Sequence, residues 1–277
     1  VYNIVRGENM QSLQKVAKEI RKLTARTIAS IGAGHIGGSL SIVDVLTVLY
    51  FKHMNVDPKN PKMAGRDRLI VSKGHAGPGV YATLAYKGFF PIEELDTLNK
   101  IGTNLPSHCD MNRTKGIDMT TGSLGQGISC AVGIAIASRL ARDNAHIYAI
   151  VGDGESQEGQ VWEAAMYASQ QKLDNLIVFL DYNKYQLDGS TCDINDLGNV
   201  VDKWKSFGFN TVYIDGHNLE EIDKAIVNAK AHTGSPSMII LNTVKGKGIS
   251  FAEGAGADSH SMPISKDQLQ QAYKELE

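Results

Sequence analysis

Ile147-Tyr148-Ala149-Ile150-Val151-Gly152-Asp153-Gly154 is an apolar run that breaks at glycine and carries a carboxylate at its tip. A second apolar run, Leu176 to Leu180, ends in Asp181-Tyr182-Asn183. Between them, Glu155 to Gln171 is polar-faced, with Val161, Ala164, Ala165 and Ala168 at helical spacing. Two short apolar runs flanking an amphipathic stretch read as strand, helix, strand. In a parallel sheet the carboxyl ends of neighbouring strands lie side by side, at the edge where open α/β sheets bind ligands. Asp153 and Asn183 therefore converge. A carboxylate oxygen and an amide oxygen together suit magnesium, a hard cation that also holds phosphates.

Outward from this unit the alternation continues. The periodicity predicts helices over 10–31, 41–52, 77–87, 125–142, 200–207, 219–231 and 266–276. It predicts strands over 69–72, 211–214 and 238–244. The helix over 125–142 is alanine-rich and reads as buried, while 99–121 has no clear period and reads as a long functional loop. Alternating strands and helices indicate an α/β fold, a mostly parallel sheet covered on both faces. No internal repeat or linker divides the chain, so residues 1–277 are expected to form one domain.

Composition narrows the function. With 277 residues, 42% of them hydrophobic, the chain can bury a full α/β core. At a net charge of −2 the composition does not point to a nucleic-acid or anionic-membrane surface, and neither is expected as a partner. No apolar run approaches the ~18 residues of a membrane span, and Val1 to Met10 is polar and lacks a signal-peptide core. Cys109, Cys130 and Cys192 form no paired motif, which suggests reduced thiols and a cytoplasmic protein.

Gly32-Ala33-Gly34-His35-Ile36-Gly37 has the spacing of a dinucleotide-binding turn. That motif needs a strand before it, and here a long amphipathic helix precedes it. His35, His75, His108 and His260 all sit in glycine-rich or polar turns. A zinc site is one reading of the four, although none has a second ligand at metal spacing. The other is a ring of donors and proton shuttles around an oxygen-rich substrate.

Four stretches resemble the amino-terminal half of the transketolase family: Ser72-Lys73-Gly74-His75, Thr120-Thr121-Gly122-Ser123-Leu124-Gly125-Gln126-Gly127, Gly152-Asp153-Gly154-Glu155-Ser156-Gln157-Glu158-Gly159 and Asp258-Ser259-His260. The Gly-Asp-Gly followed by Asn183 looks like the diphosphate signature of thiamine-diphosphate enzymes. The resemblance implies a thiamine-diphosphate-binding fold and transfer of a two-carbon ketol unit from a ketose to an aldose. It implies that Asp153, Asn183 and the backbone carbonyl of Tyr185 hold Mg2+ or another divalent cation. Gly152 and Gly154 would border the diphosphate, and Gly122, Ser123 and Leu124 would touch the cofactor through backbone groups. His75 and His260 match residues near the diphosphate and reacting carbon, His35 and His108 match donors to ketose hydroxyls, and Glu158 matches a carboxylate facing a subunit interface.

Two departures from the family pattern, Ile36 and Ser261 after the first and last histidines, bear on donor choice. Lys245 and Lys247 read either as phosphate contacts or as solvated loop charges. No second glycine-rich α/β unit matches the family's pyrimidine-binding domain, so a separate carboxy-terminal subunit is expected to complete the site in an α2β2 assembly, with sugars or sugar phosphates as substrates. The alternatives are a non-catalytic cofactor-binding module and a deoxyxylulose-phosphate-synthase-like subunit.

Overall fold

The structure, a computed structural model, describes residues 10–277. Of the polar stretch read at Val1 to Met10, residues 1–9 lie outside them. Five strands build one sheet: β2 (Arg68–Val71), β3 (Ile147–Gly152), β4 (Leu176–Tyr182), β5 (Asn210–Asp215) and β6 (Ser237–Asn242). Their order is β2-β3-β4-β6-β5, and every neighbouring pair is parallel. A separate two-residue ribbon pairs β1 (Ala33–Gly34) antiparallel with β7 (Met262–Pro263).

Residues alternate between the two faces of a strand, and both faces are apolar. Tyr148, Ile150, Ile177, Phe179, Ile239 and Leu241 join a core with α1 (Met10–Ala29), α3 (Val43–Val48), α4 (Gly77–Lys87) and α9 (Leu219–Ala231). Ile147, Ala149, Val151, Leu176, Val178, Leu180 and Ile240 face the other way, toward α5 (Gln126–Ala141), α6 (Gly159–Gln170) and α8 (Val200–Ser206). Each fully buried Val, Leu, Ile or Phe contributes about 1.5–3 kcal/mol. Continuous apolar strands are thus what a sheet covered on both sides requires.

Several boundaries differ from the periodicity. The predicted helix over 41–52 is α3 followed by a wider π-type turn over Leu49–His53, and a further short helix, α2 (Gly37–Leu40), precedes it. Hydrophobic spacing continues through both changes of pitch, because every residue from Gly37 to Phe51 is buried. The helix predicted over 155–171 starts as a 3-10 turn, Glu155–Gln157, and becomes α6 only at Gly159, after Glu158 adopts an extended backbone. The strand placed at 238–244 runs Ser237–Asn242, and α1 stops at Ala29, short of residue 31. α5 is not wholly buried: Ala131, Val132 and Ala135 pack inward, while Leu140 is 81% exposed on the opposite face. Short α7 (Thr191–Asn195) and α10 (Ser250–Glu253) carried no periodic signal, whereas α11 (Lys266–Glu275) did.

The glycine-rich turn at residues 32–37 follows a helix, α1, and contains only the two-residue β1. The strand-to-helix delivery that a dinucleotide site requires is missing there. Register carries β3 and β4 to a common edge, with Gly152 opposite Asp181 and the Asp153 N–H bonded to the Asp181 carbonyl at 3.3 Å.

Candidate active site

At that edge a cleft of about 310 Å3 opens over the ends of β3 and β4. Asp153 lies on its floor, 2% exposed. Its Oδ1 accepts the Gly154 N–H at 2.8 Å, and its Oδ2 accepts the Lys184 N–H. Lys184 has a left-handed backbone, φ +71°, and so turns the chain between Asn183 and Tyr185. The Asn183 amide donates to Asp181 Oδ2 at 2.8 Å, and its Oδ1 accepts the Tyr185 N–H at 3.1 Å. Gly154 leaves no room for a side chain, since a Cβ there would stand 2.8 Å from the Gln186 Cβ.

Burial, followed by the nearby Asp181 charge, pushes the Asp153 carboxyl up to about 7, against its backbone hydrogen bonds and Lys73. A desolvated carboxylate with an anionic neighbour gains most from a bound cation. The donors, one carboxylate, one amide oxygen and a carbonyl nearby, are the hard oxygen ligands magnesium prefers. The residues present therefore fit a divalent cation.

Asp181 is fully buried and fully used. Lys73 Nζ donates to its Oδ2 at 2.6 Å, Ser41 Oγ to the same oxygen at 2.7 Å, and Thr243 Oγ1 to Oδ1 at 2.5 Å. Burial raises its pKa, but Lys73 and the hydrogen bonds outweigh burial and hold it below the usual carboxylate range. Glu155, also buried, bonds Gly125 N–H at 2.9 Å, Gly152 N–H at 3.0 Å and Ser72 Oγ. It ties the 122–125 loop to the ends of β2 and β3. Burial raises its pKa despite these bonds.

The four histidines meet in the cleft. Ring centroids of His35 lie 5.5 Å from His75, 5.5 Å from His108 and 5.3 Å from His260; His75 and His260 are 4.8 Å apart. Burial first, and cationic or imidazole neighbours second, lower His35, lower His75 well below its ordinary value and bring His260 to about 4. These three rings are neutral at pH 7, each with one N–H to donate and one lone pair to accept. Among the described residues no three His, Cys, Asp or Glu side chains are placed to hold a metal ion.

Lys245, 3% exposed, points its ammonium toward the carbonyls of Tyr185 at 3.5 Å and Gln186 at 3.4 Å. Burial, then Lys73, lowers it to about 8. Gly122, Leu124, Gly152, Gly154, Glu158 and Tyr185 line the cleft as well. Ser123 does not: it is exposed, and its carbonyl accepts the Gln126 N–H at the start of α5. Lys247 lies outside the lining, its carbonyl bonded by Arg21. Sequence reasoning gave no role to Lys73, Asp181, Glu155, Gln157 or Gln186. Lys73 and Glu155 stood inside the motifs and Asp181 directly before Tyr182-Asn183, but a buried charge has meaning only with its partner, which sequence order hides.

A family profile described as "Transketolase, thiamine diphosphate binding domain" matches residues 12–277. A 6-deoxy-6-sulfo-D-fructose transketolase subunit of a Clostridium species is 57% identical over 271 residues, 98% of each chain. One of the apulose-4-phosphate transketolase subunits of Actinobacillus succinogenes is 40% identical over 265 residues, 95% of each. The crystal structure of Campylobacter jejuni transketolase superposes with a TM-score of 0.90 at 34% identity, covering 97% of this chain and 43% of that one.

Proposed function

The chain belongs to the transketolase family through its thiamine-diphosphate-binding domain, and on that premise we propose that it is the diphosphate-binding subunit of a split transketolase. The complex moves a two-carbon ketol unit from a ketose donor to an aldose acceptor. One observation carries this reading: a desolvated Asp153 beside Asn183 shares a single cleft with four clustered histidines. Thiamine diphosphate, when bound, supplies the nucleophilic carbon and the electron sink that carbon–carbon cleavage needs.

The rest falls to the protein. Asp153, the Asn183 amide oxygen and the Tyr185 carbonyl would hold Mg2+. Lys245 and the backbone at Gly122, Leu124, Gly152 and Gly154 would face the diphosphate. His75 and His260 would serve proton transfer at the cofactor's reacting carbon, and His35 and His108 would donate to ketose hydroxyls. A neutral imidazole can release a proton from one ring nitrogen and accept one at the other, which suits transfer to and from a sugar hydroxyl. Leu124 and Leu187, 37% and 62% exposed at the mouth, would exclude water once covered. Residues 1–277 form one diphosphate-binding domain, and Glu158, exposed at the rim, faces a neighbouring subunit. The partner is a carboxy-terminal subunit with a pyrimidine-binding domain, in an α2β2 assembly. Support comes from the relatives named as subunits, which this chain matches over 98% and 95% of each length. The three free cysteines favour a cytoplasmic setting, and no described helix is long and apolar enough to cross a membrane.

The 57% identical relative makes 6-deoxy-6-sulfofructose the first donor to test. The chain and its partner subunit, mixed with thiamine diphosphate, Mg2+, this donor and an aldose phosphate, should transfer ketol, and the chain alone should not. Transfer by the chain alone contradicts the split-site reading; no transfer by the complex from this or any other ketose contradicts the activity.

A further inference from the structure

Lys245 stands on a short turn held from behind by side chains that do not reach the cleft. After β6 the Lys247 N–H bonds the Val244 carbonyl at 3.2 Å, and the Gly246 N–H bonds the Gly37 carbonyl at 3.0 Å. Gly246 has φ +84°, and a Cβ there would lie 2.5 Å from the Ala252 carbonyl carbon. The inner path of the turn is therefore set by backbone contact.

Its ends are set by hydrogen bonds. The Val244 N–H donates to His217 Nε2 at 2.8 Å. A ring nitrogen that accepts carries no proton, so the neutral ring is protonated at Nδ1, 2.7 Å from Asp44 Oδ2. The same oxygen takes Arg21 Nη2 at 2.5 Å, and Arg21 Nε donates to the Lys247 carbonyl at 3.0 Å. From Val244 through His217, Asp44 and Arg21 to Lys247 the bonds close a loop. Its members come from α1, α3, the β5–α9 connection and the turn itself, and Asp44 is 5% exposed at its centre.

We propose that His217, Asp44 and Arg21 are positioning residues for Lys245, clamping both ends of its turn so that the ammonium faces the anionic end of the cofactor. The proposal rests on reading the cleft as a thiamine-diphosphate site. A long, flexible lysine is effective toward an anion only when its backbone is fixed, because the ordering is then complete before binding. Released from the clamp, the turn would leave the ammonium to the Tyr185 and Gln186 carbonyls it already approaches.

The test is a double-mutant cycle read by calorimetric titration of thiamine diphosphate, at saturating Mg2+, into the chain complexed with its partner subunit. Lys245→Met should weaken binding by about tenfold or more, as loss of a charged hydrogen-bond donor does. His217→Ala should weaken it by roughly five- to tenfold in the wild-type background and by less than about twofold beside Lys245→Met. His217→Gln, whose amide can accept from Val244 and donate to Asp44, should restore affinity. Should His217→Ala fail to fold, Arg21→Met, which frees the Lys247 end, runs the same cycle. Unchanged affinity in His217→Ala, or an equal loss in both backgrounds, overturns the clamp. Unchanged affinity in Lys245→Met alone overturns the cofactor reading beneath it.

Discussion

Asp153 concentrates the chemistry of the cleft in one carboxyl group. Raised to about 7 by burial and by Asp181, it is partly protonated near neutrality until a cation draws the proton off. Lys245, lowered to about 8, behaves oppositely: an anion raises it and draws a proton in. Binding of thiamine diphosphate with Mg2+ should therefore release protons near pH 6.5 and take them up near pH 8.5, measured by calorimetry in buffers of different ionisation enthalpy. His260 supplies a second titration. Its folded pKa of about 4 lies below the ordinary 6.5, so the unfolded chain binds its proton first. Its stabilising share is complete above about pH 6.5 and is lost as pH falls toward 4. Between pH 7 and 5 the melting temperature of His260→Gln should fall less steeply than that of wild type; parallel curves contradict the shift. The buried Lys73–Asp181 pair is structural in the same cleft, and Lys73→Met should cost about 3–5 kcal/mol in denaturant unfolding by stranding Asp181.

At the scale of elements, the sheet edge aims these groups because both helix layers hold it. α8 contributes Trp204, fully buried against Trp162 at 4.8 Å and Phe209 at 5.1 Å between ring centroids. Trp204→Ala should cost about 3–5 kcal/mol in chemical denaturation and leave cofactor affinity nearly unchanged, since Trp204 does not line the cleft. The strands and long helices were legible in sequence because their faces repeat: Ile147, Ala149 and Val151 go one way, Tyr148 and Ile150 the other. β1, β7, α7 and α10 span two to five residues each and are too short to show a period. The convergence of Asp153 and Asn183 was legible because parallel register requires it. The clamp behind Lys245 was not, since His217, Asp44 and Arg21 are far apart in sequence and meet only in the packed fold. The four histidine turns were visible one by one; their meeting at 4.8–5.5 Å belongs to the tertiary structure.

Across the whole molecule, function concentrates at one sheet edge, and the apolar side chains at its mouth, Leu124 and Leu187, remain uncovered in this chain. In the proposed split enzyme the partner subunit would cover that mouth. Everything proposed for the cleft depends on a cation held by Asp153 and Asn183. The most direct measurement is calorimetric titration of thiamine diphosphate and Mg2+ into the complex carrying Asp153→Ala and Asn183→Ala. Affinity should drop by about a hundredfold or more, as removal of charged ligand contacts entails, with the fold retained by circular dichroism. Affinity equal to wild type in a folded double variant would contradict the site.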